Sequence, residues 1–192
     1  MAKVLKLAAV VLAAGQSRRF GGDKRFAQVR GRPLIAHALD ALAGFDFAQK
    51  IAVVRPEDPI ESLVRSHGVI LVINPDADDG MGTSLACGIA ALEGVDGAFI
   101  VLADMPDIPP ALYVEMADRF AEGEADIVIP RHNGQAGHPV LFGATCFAEL
   151  KGLHGDRGAR ALFASQRYVK AWIEVDSAGV LRDIDQQKDL IL

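Results

Sequence analysis

Only two of the 192 residues are cysteine, Cys87 and Cys146. They stand far apart and match no metal or redox spacing, so the plain reading is two free core thiols in a reducing, cytoplasmic compartment. Excess positive charge is also missing: the formal net charge is −5, which argues against a general nucleic-acid binder. Long apolar runs are absent. The stretch from Leu7 to Ala14 follows Lys3 and Lys6 in the manner of a signal peptide, but it is far too short to span a bilayer. It also leads straight into a Gly/Arg loop that makes a poor cleavage context, so a first core strand accounts for it better. There is no transmembrane segment, linker, repeat or low-complexity tract. No serine sits in a G-x-S-x-G setting, and His132 and His138 lack a Cys or carboxylate partner at zinc spacing. His37, among apolar residues at helical spacing, reads as a satisfied, partly buried histidine.

What is present is an ordinary soluble composition, 51% hydrophobic and 23% charged, in a chain long enough for one domain with a sizeable core. Apolar runs at Leu7 to Leu12 and Ala98 to Pro106 read as buried strands, and Lys50 to Val54, Val69 to Ile73 and Ala125 to Pro130 as further strands. Helical patterns alternate with them. Pro33 suits the first turn of one helix, and Thr83 or Ser84 suits the cap of another that follows Gly80 and Gly82. Asn133-Gly134 signals a tight hairpin turn, with Val140 to Phe142 returning. This order predicts a single α/β domain over residues 1–192: a Rossmann-like, three-layer arrangement with a mainly parallel sheet and an antiparallel hairpin in the second half.

In such sheets ligands bind beyond the carboxyl ends of the strands. That rule brings the loop after Leu12, the turn at Gly80 to Ser84, and Asp104 to one edge. The loop itself, Gly15 to Lys24, carries Arg18, Arg19, Gly21, Gly22 and Lys24, and a flexible cationic loop delivered by a buried strand is an anion cradle. It is not a P-loop: five residues separate Gly15 from Gly21, and Lys24 precedes Arg25 rather than Ser or Thr. It is not a GxGxxG fingerprint either. Asp104, at a strand end beside an expected triphosphate, is the best Mg²⁺ candidate. Asp183 and Asp185 share a side if their segment is extended, and one of them is a candidate second ligand; a solvated pair fits that spacing equally. Arg157 and Arg160 are candidates to meet an anionic substrate, a surface pair being an even alternative.

LAAGQSRRFGGDK, from Leu12 to Lys24, resembles the LxAGxSxRxGxxK signature of molybdenum cofactor nucleotidyltransferases. GMGTSLACG, LADMP, GHPVLF, GDRGAR and DID follow in the family's order, and the resemblance spans nearly the whole chain. It implies a fold of the nucleotide-diphospho-sugar transferase type. It also implies transfer of CMP from CTP to the terminal phosphate of molybdopterin, a pterin-phosphate acceptor carrying molybdenum, with release of pyrophosphate. GHPVLF with GDRGAR, and LAAG where the guanylyl branch tends to carry LAGG, point to the cytidylyl branch.

By the same resemblance, Leu12, Ala13, Ala14 and Gly15 approach the nucleotide, Arg19 and Lys24 hold its phosphates, and Gly82, Thr83 and Ser84 lie near base or ribose. Asp104, with Asp185, takes Mg²⁺. His138, Asp156, Arg157 and Arg160 face the acceptor, and a molybdenum hydroxylase is a candidate recipient of the product. The alternatives are a GTP-using enzyme, a sugar- or polyol-phosphate nucleotidyltransferase, and a non-catalytic cofactor carrier. Two departures stand out: Arg25-Phe26 follows the motif lysine where the family often has Leu-Leu, and DIDQQKD replaces DIDTPED.

Overall fold

A computed structural model describes residues 4–155 and 158–190. Its framework is one sheet built on β1 (Leu7–Leu12), which runs between β4 (Gln49–Val54) and β6 (Gly97–Leu102), parallel to both. Two short strands, β2 (Gln28–Val29) and β3 (Arg32–Pro33), form a separate small hairpin after the loop. On one flank β5 (Ile70–Ile73) closes the sheet beside β4. On the other, β7 (Ile127–His132), β8 (Gln135–Ala136), β9 (Val140–Gly143) and β10 (Lys170–Glu174) complete the order β10-β7-β9-β6-β1-β4-β5, with β8 paired to β7.

The sequence reading of the second half holds in outline. Asn133 and Gly134 take positive φ values of 49° and 79°, as a tight hairpin turn requires. The strand that returns directly is the two-residue β8, while β9 inserts antiparallel between β6 and β7.

Alternation along β1 divides the core into two layers. Leu7, Ala9 and Val11 point to one face, where they meet Ile35 and Leu39 of α1 (Leu34–Ala41), Val64 of α2 (Glu61–Ser66) and Leu112 and Met116 of α4 (Ala111–Ala121). Ala8 and Val10 point to the other, against Leu85 and Ile89 of α3 (Met81–Ala90). Leu150 of α5 (Phe147–Lys151) and Leu162 of α6 (Arg160–Ala164) complete that second layer. Both faces of the central strands are covered, which explains why β1 and β6 read as continuous apolar runs; the edge strand β5 is apolar too, yet leaves Ile70 and Ile73 exposed.

Helix α3 lies especially close to the sheet. A Cβ placed at Gly88 would stand 2.5 Å from Val10 Cγ1 and 2.9 Å from Val53 Cγ2. Gly88→Ala therefore overpacks the layer, costing about 1–3 kcal/mol against a helix-propensity gain of at most about 1 kcal/mol. A lowered Tm in thermal melts checks this; a raised Tm would mean the layer yields freely.

The start of α3 differs from the expected cap. Gly80, at φ 111°, precedes the first turn and makes no side-chain cap. Thr83 sits inside that turn, its hydroxyl donating to the Gly80 carbonyl at 2.9 Å. The sequence reading placed the boundary late because it gave a hydroxyl residue the capping role that backbone geometry at a glycine performs here.

Free thiols stand as expected at Cys87 and Cys146. Burial pushes the Cys146 thiol up to about 11. No helix among the described residues is long and apolar enough to cross a membrane.

Candidate active site

The carboxyl ends of β1, β4 and β6 open onto a cleft of about 620 Å³. Ala13, Ala14 and Gly15 line it from β1, Arg55 from β4, Asp104 from β6, and Gly80, Met81 and Ser84 from the start of α3. The remaining wall is the loop after β1, with Gln16, Ser17, Arg18, Arg19 and Lys24, faced by Asp78, Asp183 and Asp185.

At the centre stands Lys24. Its Nζ donates to Asp104 Oδ2 at 2.7 Å and to Asp185 Oδ1 at 2.9 Å, and its side chain is only 13% exposed. Burial works against the ammonium, but the two carboxylates outweigh it and hold its pKa above the usual lysine range. The lysine is therefore charged at any working pH. Arg19 reaches Asp185 Oδ2 at 3.0 Å from the solvent side, with its own side chain 76% exposed.

Asp185 comes from the far end of the chain, and a small apolar plug brings it there. Ile184 is fully buried with Val29 and Leu34, with Phe20 and Leu190 packed beside them, and its amide donates to the Asp104 carbonyl at 3.0 Å. Although Thr-Pro-Glu is missing, the turn is closed by Asp189, whose carboxylate accepts from the amides of Asp185 and Gln186 at 3.1 and 2.7 Å. Burial, with Asp104 and Asp185 nearby, raises the pKa of Asp183.

The arrangement suits a polyanion and a cation together. Arg18, Arg19, Lys24 and Arg55 offer positive charge beside a helix start, and the carboxylates of Asp104 and Asp185 lie among them, in contact with Lys24. Asp104 Oδ1 is buried and has no hydrogen-bond partner among the described residues. An orphaned carboxylate oxygen beside Asp185 fits a divalent cation that takes its remaining ligands from phosphate, because the described residues contain no group of three or more metal-binding side chains. Among the described residues no histidine lines the cleft, and the Ser17 and Ser84 hydroxyls accept from the Lys24 amide and from Asn74 Nδ2. A protein nucleophile with its own base is thus lacking among these residues.

Of the residues singled out in the sequence, Leu12 to Gly15, Arg19, Lys24, Ser84, Asp104 and Asp185 share this cleft. Gly82 and Thr83 are not among the lining residues: the Gly82 amide donates to the Gly155 carbonyl at 2.8 Å, and Thr83 Oγ1 accepts from Asn74 Nδ2 at 3.0 Å. His138 lies just ahead of β9, whose Val140 pairs with Ile100, so it is on the same sheet edge but outside the cleft wall. Asp156 and Arg157 fall outside the described residues, and Arg160 opens α6. His37 is satisfied, its Nε2 lying 2.8 Å from the Val29 carbonyl.

Residues 9–171 match the model of the MobA-like NTP transferase domain. The chain belongs to that family. It is a nucleotidyltransferase by descent, and its fold is the one shared by nucleotide-diphospho-sugar transferases. Among solved structures, Rv0371c from Mycobacterium tuberculosis superposes with a TM-score of 0.84 at 30% identity, covering 97% of this chain and 96% of that one. A manganese complex of Rv0371c superposes at 0.78.

Among family relatives, the purine catabolism protein PucB of Bacillus subtilis is 31% identical over 95% of this chain and 93% of its own. The molybdenum cofactor cytidylyltransferase of Escherichia coli is 25% identical over 95% and 92%. A probable molybdenum cofactor guanylyltransferase of Thermococcus kodakarensis is 31% identical over 63% and 57%.

Sequence reasoning missed three cleft residues. Arg55, Asp78 and Gln16 form a chain in which Arg55 Nη1 meets Asp78 Oδ1 at 2.6 Å and Gln16 donates to the same oxygen. The signal available was position alone, since Arg55 directly follows β4.

Proposed function

We propose that this chain transfers CMP from CTP to the terminal phosphate of molybdopterin, releasing pyrophosphate, with Mg²⁺ held by Asp104 and Asp185. The observation that carries the reading is Lys24, fixed by two aspartates in a cleft whose described residues pair no nucleophile with a base. Catalysis there is positioning plus charge stabilisation. A phosphate oxygen of the acceptor attacks the α-phosphorus in line. The new P–O bond forms as the bond to the β-phosphate oxygen breaks, and pyrophosphate carries the electron pair away.

Lys24 and Arg19 meet the β- and γ-phosphates, where that charge builds. The residues lining the start of the loop approach the nucleotide through backbone. When bound, the divalent cation neutralises phosphate charge; the manganese complex of Rv0371c supports a metal requirement in this fold. His138, Asp156, Arg157 and Arg160 are assigned to the acceptor side on motif position.

One feature favours CTP: the chain carries Ala14, a buried residue of the cleft wall, where the guanylyl branch tends to carry glycine. Incubation with molybdopterin and each nucleoside triphosphate tests the choice: pyrophosphate should appear with CTP. A preference for GTP would move the chain to the guanylyl branch, and turnover with a sugar or polyol phosphate instead would replace the acceptor.

Arg19→Ala is expected to cost about 3 kcal/mol in kcat/KM, the loss of one preorganised donor. Its exposure lets the variant fold normally, so steady-state kinetics read the chemistry directly. A near-normal kcat/KM would remove Arg19 from the phosphate site.

A further inference from the structure

Arg25 is one of the few buried charges in the protein, only 7% exposed, and it stands where the family often has leucine. Its guanidinium joins three segments. Nη1 donates to the Ala13 carbonyl at 2.6 Å, at the start of the nucleotide loop. Nε and Nη2 grip the Asp23 carboxylate at 2.8 and 2.6 Å, at the loop's end. Nη1 also reaches Asp58 Oδ2 at 2.7 Å in the turn after β4. Asp58 is itself fixed, because its carboxylate accepts from the amides of Arg55 and Ile60, both at 3.2 Å. The neighbouring carbonyl is held the same way: Arg55 Nε donates to the Ala14 carbonyl at 2.7 Å.

Two consecutive carbonyls are thus tied to two guanidinium groups. In a trans peptide the carbonyl and the following amide point in opposite directions. Tying the Ala13 and Ala14 carbonyls therefore directs the amides of Ala14 and Gly15 away from the arginines.

We propose that Arg25 is a positioning residue for the nucleotide loop. It closes the loop between Ala13 and Asp23, sets the direction of the Ala14 amide, and fixes the backbone from which Lys24 reaches Asp104 and Asp185. The planar fork is essential to this task, since one group bonds two carboxylates and a carbonyl together; a lysine ammonium lacks that geometry. Leucine at this position fills the space but holds neither end of the loop. The inference rests on the reading of this loop as the triphosphate site.

The test compares Arg25→Met, Arg25→Lys and Leu150→Ala with the unaltered protein. Leu150 is fully buried in the opposite core layer and touches none of the cleft, so its variant controls for general loss of stability. Two readouts are taken on each: Kd for CTP and GTP by calorimetry with Mn²⁺, and hydrogen exchange of the loop amides in the free protein. Arg25→Met should weaken binding of the preferred nucleotide on the order of tenfold to a hundredfold, the scale of a small misplacement of a preorganised site. It should also speed exchange at residues 14–23. Arg25→Lys should recover part of both losses, and Leu150→Ala, although it lowers Tm, should change neither.

Wild-type affinity in Arg25→Met, or a loss in Leu150→Ala as large as that in Arg25→Met at equal Tm, overturns the proposal. If the unaltered protein binds neither nucleotide, the triphosphate reading fails instead. Loop exchange then still judges the clamp: an Arg25→Met loop exchanging as slowly as the wild type refutes it.

Discussion

Lys24→Ala lowers kcat/KM on the order of a thousandfold, about 4 kcal/mol, the upper end for a single preorganised donor. The effect exceeds that of Arg19→Ala because Lys24 is seven-eighths buried and held at two points, whereas Arg19 reaches in from solvent. A buried, pre-aimed cation loses little on meeting a developing charge, while a solvated one must first be ordered. The raised pKa adds a second expectation: the wild-type pH profile should show no limb from this lysine below pH 10. Arg should not substitute for it, since its fork does not fit a site built around a point donor between two carboxylates. Steady-state kinetics on Lys24→Ala and Lys24→Arg, with circular dichroism to verify folding, measure this. A Lys24→Ala enzyme within tenfold of wild type would contradict the assignment.

Asp104→Asn comes next, with an expected loss on the order of a hundredfold to a thousandfold in turnover and a marked rise in the metal concentration needed for half-activity. The substitution keeps the size and the contact to Lys24 while removing the charge. It also exchanges one oxygen for an amide nitrogen that cannot ligate a cation. Oδ1 is buried without a partner among the described residues, so the wild-type carboxylate bears an unmet electrostatic cost in the free protein. Because the variant also removes one charged partner of the buried Lys24 ammonium, circular dichroism verifies that it folds, and metal titrations followed by Mn²⁺ resonance should show weakened binding. Unchanged metal dependence would transfer the role to Asp185.

The parts of this account carried by local pattern were legible in the sequence. The run Leu7–Leu12 reads as a doubly buried strand and is β1 to the residue. The rule that ligands sit beyond the carboxyl ends places Asp104 and the loop on one edge, and both line the cleft there. What the sequence hid was made by distant partners. Arg25 looked like one more basic residue of a cationic loop, because its burial depends on Asp58, on a turn of a different element. Asp185 looked weakened by the loss of Thr-Pro-Glu, yet Asp189 closes its turn and Ile184 anchors it in a pocket formed by Val29 and Leu34. The strands β2 and β3 went unread because two residues apiece give no periodicity; their turn at Arg30-Gly31, with φ values of 48° and 74°, was the only trace. The cap of α3 was misread for a similar reason, a glycine's backbone doing what a hydroxyl was expected to do.

Transfer of the α-phosphorus is the centre of the account, and isotope labelling follows it directly. The protein is incubated with molybdopterin, a divalent metal, and CTP labelled at either the α- or the γ-phosphate. The α-label is expected in the pterin product and the γ-label in pyrophosphate, in equal amounts. Label from the γ-position on the acceptor, release of inorganic phosphate, or no movement of label with any nucleotide would contradict it.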